Sequence, residues 1–186
     1  MDHELQTTCK ALHDFRSQAH DPALLDLFLE LAGEGVHAFQ RARLAGHFTA
    51  SCWLVSADGE RTLLTHHRKL DRWLQPGGHA DGDVDLARVA LREAEEETGV
   101  PQLTLEGGVF DIDRHRIPAR GDVPEHWHYD VRFVIRAGSD ERFVVSEESH
   151  DLAWRPVREI RDGSEYDASL RRMAGRWLDR MPPGAR

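Results

Sequence analysis

The 186-residue sequence predicts an α+β fold: a mixed β-sheet between helices, preceded by a helical N-terminal segment. Three observations carry this. Residues 1–45 carry helical signals, and from His47 the texture changes to short β-like stretches. Those stretches group on both sides of one strong amphipathic helix instead of alternating regularly with helices, which argues against a doubly wound α/β fold. The length and the 40% hydrophobic content suffice for one sizeable core. The chain therefore divides into a helical extension, 1–45, and a mixed-sheet domain, 46–186.

In chain order, a weakly marked helix precedes His20. Asp21-Pro22 then opens ALLDLFLELAG, with Asp as N-cap, Pro in the first turn and Gly33 at the stop. VHAFQRARLAG predicts a second short helix. This N-terminal segment is expected to cap the core or to form a homodimer contact. HFTASCWLVS and RTLLTHHR follow as strands joined through Asp58-Gly59, a hairpin signal. LQPGGHADGD predicts a glycine-rich loop and DLARVALREAEEETG the strongest helix. GGVFDIDRHRI, HWHYDVRFVIRA and DLAWRPV predict further strands, and SLRRMAGRWLDRM a closing helix.

Composition excludes several classes of function. Lys and Arg total 24 against 33 Asp and Glu, a net charge of −9, which repels nucleic-acid polymers and offers no polybasic patch for a membrane. Cys9 and Cys52 are too few for a disulfide framework, and no apolar run approaches transmembrane length. These features predict a cytoplasmic protein.

The informative stretch is LREAEEETGV, residues 91–100. At 100° per residue, Leu86, Ala87, Val89, Ala90, Leu91 and Ala94 form one apolar face. Glu93, Glu96 and Glu97 gather at its edge, and Glu95 points away. The C-terminal turns of a helix disfavour negative charge, and like charges three or four residues apart add to the cost. Arg92 can pair with Glu96, but one guanidinium cannot neutralise three carboxylates. A hard divalent cation can, and Mg2+ takes one or two carboxylates while keeping positions for water and phosphate oxygens. Upstream, Pro76-Gly77-Gly78 permits close backbone approach, so a carbonyl there can join the cation and amides can contact phosphate.

With these residues in view, Gly78 followed by Arg92-Glu93-Ala94-Glu95-Glu96-Glu97-Thr98-Gly99-Val100 resembles the Nudix box, G-x5-E-x7-R-E-U-x-E-E-x-G-U, with Ala94 and Val100 as the aliphatic U positions. The resemblance spans roughly residues 45–165. It implies a Nudix-like α/β/α sandwich and metal-dependent hydrolysis of a nucleoside diphosphate linked to another moiety. It further implies that Glu93, Glu96, Glu97 and the Gly77 carbonyl hold Mg2+, or Mn2+ in its place, and that Arg92 orients the glutamates. One of these glutamates, or a later acid such as Glu147 or Glu148, serves as general base. The sequence departs from the box once: position 84, the first box glutamate, is Val84, flanked by Asp83 and Asp85.

Around the box, HHRKLDRW brings His66, His67, Arg68, Lys69 and Arg72 near the glycine loop, where Arg68 and Lys69 are candidates to meet substrate phosphates, or else form a solvated hairpin end. His126 and His128 alternate on one strand face, either by coincidence in a chain with 12 histidines or as a metal pair. Trp73, Trp127 and Trp154 are either core or base-stacking residues. Three functions follow: a pyrophosphohydrolase of a small nucleoside diphosphate derivative; a weak or inactive nucleotide-binding module, motivated by Val84; and a histidine-based metalloenzyme.

Overall fold

The computed structural model describes residues 3–68, 71–145 and 149–181. The helices are α1 (His3–Asp14), α2 (Pro22–Gly33), α3 (Leu86–Thr98), α4 (Val157–Asp162) and α5 (Ala168–Arg180). The strands are β1 (Gly46–Val55), β2 (Arg61–His67), β3 (Arg72–Leu74), β4 (Gly77–His79), β5 (Thr104–Ile117), β6 (His126–Arg136) and β7 (Ser149–Pro156). They form a seven-stranded sheet with the order β3-β2-β1-β6-β5, in which β4 pairs with β1 and β7 with β2. The α+β class is as expected. Contacts divide the chain into two compact units, one from Met1–Ser51, Gly77–Ala90 and Gly107–Phe133, the other from Cys52–Pro76, Leu91–Glu106 and Val134–Arg186.

In the first unit Asp21 caps α2 by accepting from the amides of Ala23 (2.9 Å) and Leu24 (3.1 Å), as its position before Pro22 predicts. Phe28 of α2 packs edge-on against Tyr129 at 5.2 Å, and Phe39 stacks on Phe48 at 4.7 Å. Aromatic burial of this kind ties the N-terminal helices to one face of β1 and β6. The helix expected over 36–46 is reduced to a 3-10 turn at Gly35–Phe39. Gly35 starts it with φ +80°, and Arg43 is drawn back onto Glu34 and the Gly46 carbonyl, each at 2.6 Å, so the chain turns into β1. The loop expected after Leu74 contains a strand, β4, with Thr49, Ala50 and Ser51 opposite His79, Gly78 and Gly77.

In the second unit β2 pairs antiparallel with β3 and β7, giving strand character to Arg72–Leu74 within the predicted hairpin end. The Asp58-Gly59 turn forms as predicted: Asp58 accepts from Ser56 Oγ at 2.6 Å and the Glu60 amide at 2.9 Å, and Gly59 adopts φ +77°. Trp177 of α5 donates to the Gly59 carbonyl at 2.7 Å and is otherwise buried. Helix α4, only six residues long, has too little sequence to show a helical period. No helix among the described residues is long and apolar enough to cross a membrane.

Candidate functional site

Helix α3 begins at an Asp85 cap, whose carboxylate accepts the Arg88 amide at 3.1 Å, and ends where Gly99 takes φ +63° and donates to the Glu95 carbonyl at 2.9 Å. A Cβ at Gly99 would lie 3.3 Å from Val144, whose amide donates to the Thr98 carbonyl at 2.8 Å. The positive φ and the tight neighbour together favour glycine at the stop. Ala94 and Thr98 are buried, Glu93 and Glu97 half-buried, and Glu95 and Glu96 exposed. The side chain of Glu93 is 17% exposed and receives Arg92 Nη2 at 3.5 Å. Three carboxylates thus occupy the last two turns of α3, two of them partly withdrawn from water. Their all-oxygen chemistry fits a hard divalent cation such as Mg2+.

Gly77 and Gly78 lie in β4. A Cβ on Gly77 would fall 2.3 Å from Ser51 Cβ, 2.6 Å from Ser51 Cα and 2.8 Å from the Ala50 carbonyl, so only glycine lets the strand approach β1 this closely. Val84, at the first box-glutamate position, is 5% exposed, and its carbonyl accepts Thr8 Oγ of α1 at 2.6 Å. Its two acidic neighbours have other tasks. Asp83 is held by Arg88 at 2.6 Å and 2.9 Å, and Asp85 caps the helix. Arg88 is shared with Glu4 of α1 at 2.9 Å, and the hydrogen bonds it donates to the Glu4 and Asp83 carboxylates raise the guanidinium pKa above its usual range.

Arg68 is exposed and donates to the Ser149 carbonyl at 3.2 Å. Lys69, Glu147 and Glu148 lie outside the described residues. The three tryptophans singled out from the sequence each carry a guanidinium: Arg155 lies 4.6 Å over Trp73, Arg114 3.9 Å over Trp127 and Arg61 5.6 Å over Trp154.

Sequence reasoning missed a polar face within the first unit. Period-two alternation puts His47, Thr49 and Ser51 of β1, Asp111, Asp113 and His115 of β5, and His126, His128, Asp130 and Arg132 of β6 on strand faces opposite to Phe48, Ile112 and Val131. Arg132 is 3% exposed and reaches Asp130 at 2.8 Å and both Asp111 and Asp113 at 3.3 Å. Burial works to lower its pKa, but the charges of Asp130, Asp113 and Asp111 outweigh that and hold it above the usual value. Asp130 also accepts from Thr49 Oγ at 3.1 Å and Ser51 Oγ at 2.7 Å. The alternation was visible in the sequence, but its partners are 79 and 81 residues apart.

At the other end of this face five imidazoles gather. Ring centroids of His47 lie 5.2 Å from His126, 5.0 Å from His128 and 5.3 Å from His79, and those of His79 and His115 lie 4.8 Å and 5.4 Å from His128. Desolvation, aided by neighbouring imidazoles, lowers the pKa of His47 and His128, and that of His79 to about 4. At pH 7 this favours the neutral form of His47, His79 and His128.

A family model described as NUDIX domain matches residues 46–174. No curated protein matches the chain. Among solved structures, a NUDIX-family hydrolase from Clostridium perfringens is 26% identical, with 72% of this chain and 96% of that chain covered at a TM-score of 0.55. An Ap4A hydrolase from C. elegans is 18% identical, covering 71% and 95% at a TM-score of 0.56. The MutT protein from Methanosarcina mazei Go1 is 18% identical, covering 74% and 96% at a TM-score of 0.57. The last two show a likeness of fold. The family match runs through the glycine strand, α3 with its glutamates and the strands that follow, well over half of the sequence, and on that ground the chain belongs to the Nudix family and is a pyrophosphohydrolase acting on phosphorus-containing anhydrides.

Proposed function

We propose that the protein hydrolyses the diphosphate linkage of a small nucleoside diphosphate derivative with Mg2+, or Mn2+ in its place, held by Glu93, Glu96 and Glu97. The observation that carries this reading is the placement of three carboxylates on the last two turns of α3, where the helix dipole opposes them and one arginine contacts Glu93 at 3.5 Å. A bound divalent ion would supply charge neutralisation at the phosphates and activation of water. Arg92 steadies the Glu93 carboxylate as a positioning residue. The Gly77 carbonyl is assigned to the ion, and the amides of Gly77 and Gly78 to phosphate oxygens, as the family resemblance implies. Exposed Arg68 adds a cation for the outer phosphate, and Lys69 beside it in sequence is assigned the same role.

The test is a panel of nucleoside diphosphate derivatives, including sugar nucleotides, dinucleotides and ADP-ribose, incubated with Mg2+ or Mn2+ and assayed for phosphate-containing products. Turnover that vanishes with chelation and in E97Q supports the proposal. Turnover unaffected by both refutes it. A second reading, a nucleotide-binding module with weak turnover, is favoured by Val84, which is buried while Asp83 and Asp85 are committed elsewhere. Binding of a panel member without cleavage, measured by calorimetry, would establish that reading.

A further inference from the structure

We propose that His47, His126 and His128 form a second, nitrogen-based metal site for an ion of the Zn2+ class, separate in chemistry from the glutamates of α3. One ligand atom from each residue lies within 4.8 Å of the others. The three rings come from two strands of the first unit, with His126 and His128 two residues apart on β6 and therefore on one face.

Hydrogen bonds orient two of them. The Nδ1 atoms of His126 and His47 face carbonyls, of Pro124 at 2.9 Å and Arg43 at 3.4 Å. A carbonyl can only accept, so each Nδ1 carries the proton and each Nε2 carries the lone pair. This backbone-oriented arrangement is the one that metal-ligating histidines commonly use. His47 is 3% exposed, and the buried Nε2 atoms of His47 and His128 have no hydrogen-bond partner. Two unsatisfied polar nitrogens in one buried cluster carry a desolvation cost that a metal ion would offset.

The donor set selects the ion. Imidazole nitrogens suit Zn2+ and its neighbours, whereas Mg2+ and Ca2+ prefer oxygen. Tetrahedral Zn2+ with bonds of 2.0–2.1 Å needs nitrogens about 3.4 Å apart, so the three would draw together by up to about 1.4 Å through small side-chain rotations. Three protein ligands would leave a fourth position for water, and the His79 ring centroid lies 4.8 Å from that of His128.

The full-length protein, stripped with a chelator and kept in excess Mg2+ to occupy the carboxylates, should bind one Zn2+ per chain. Zn2+ affinity, read by competition with a chromophoric chelator, should fall tenfold or more in both H47Q and H126Q and by less than threefold in E96Q. A fall of less than tenfold in either histidine variant, or of threefold or more in E96Q, overturns the proposal. Should a histidine variant fail to fold, Co2+ added to the unaltered protein under the same conditions decides. Intense visible d–d bands of a four-coordinate ion are expected, and the pale spectrum of six-coordinate Co2+ overturns the site.

Discussion

Replacing Arg132 by methionine removes the guanidinium from among three aspartates and leaves their carboxylates in the first unit without it. The arginine side chain is 3% exposed, Asp111 fully buried, Asp130 nearly so and Asp113 about one quarter exposed. Thr49 and Ser51 still donate to Asp130, and His20 lies 3.6 Å from Asp111, so some of the negative charge keeps a partner. Removing one member of a buried ion pair costs about 3–5 kcal/mol, because the other is left uncompensated. That is a large share of the roughly 5–15 kcal/mol that holds a typical domain folded. With a urea slope of about 2.5 kcal/mol/M, the unfolding midpoint should drop by about 1–2 M. The assay is urea unfolding followed by fluorescence of the five tryptophans at pH 7. R132K keeps the charge but loses the planar fork and should fall between the two. A loss below about 1 kcal/mol in R132M, the range of an exposed pair, would refute the account of a dry, charge-balanced network.

Other substitutions probe separate links. E96Q should lower kcat by at least about 100-fold, in line with loss of one charge-stabilising group, while raising stability by a few tenths of a kcal/mol because a negative charge leaves the helix C-terminus. Steady-state rates and thermal melts of the same preparation check both halves. G77A should cost about 1–3 kcal/mol or more in urea unfolding, since its methyl would meet β1 backbone, whereas G108A, which meets nothing within 4 Å, should stay within about 0.5 kcal/mol. T8V deletes the 2.6 Å hydrogen bond to the Val84 carbonyl while keeping the shape of the side chain, and should cost about 1–2 kcal/mol in the same measurement.

Local signals made much of the fold legible. The Asp21-Pro22 cap, the Asp58-Gly59 turn and the amphipathic stripe of α3 act over a few residues, so adjacent sequence suffices to specify them. Segment 36–46 misled because its helical pattern competes with Arg43, whose carboxylate and carbonyl partners turn the chain into β1. Strand β4 was hidden because glycines read as loop until a neighbouring strand close enough to exclude a Cβ is known.

The box glutamates declare themselves in one dimension, since helical periodicity converts their spacing into a shared edge without reference to anything else in the chain. The imidazole cluster and the Asp–Arg network do not, because residues such as His47 and His128 meet only through strand pairing, and pairing depends on register and burial across long stretches of intervening chain. Short-range geometry follows from covalent structure and hydrogen-bond period. Which distant polar groups share one dry face is settled by how the sheet assembles.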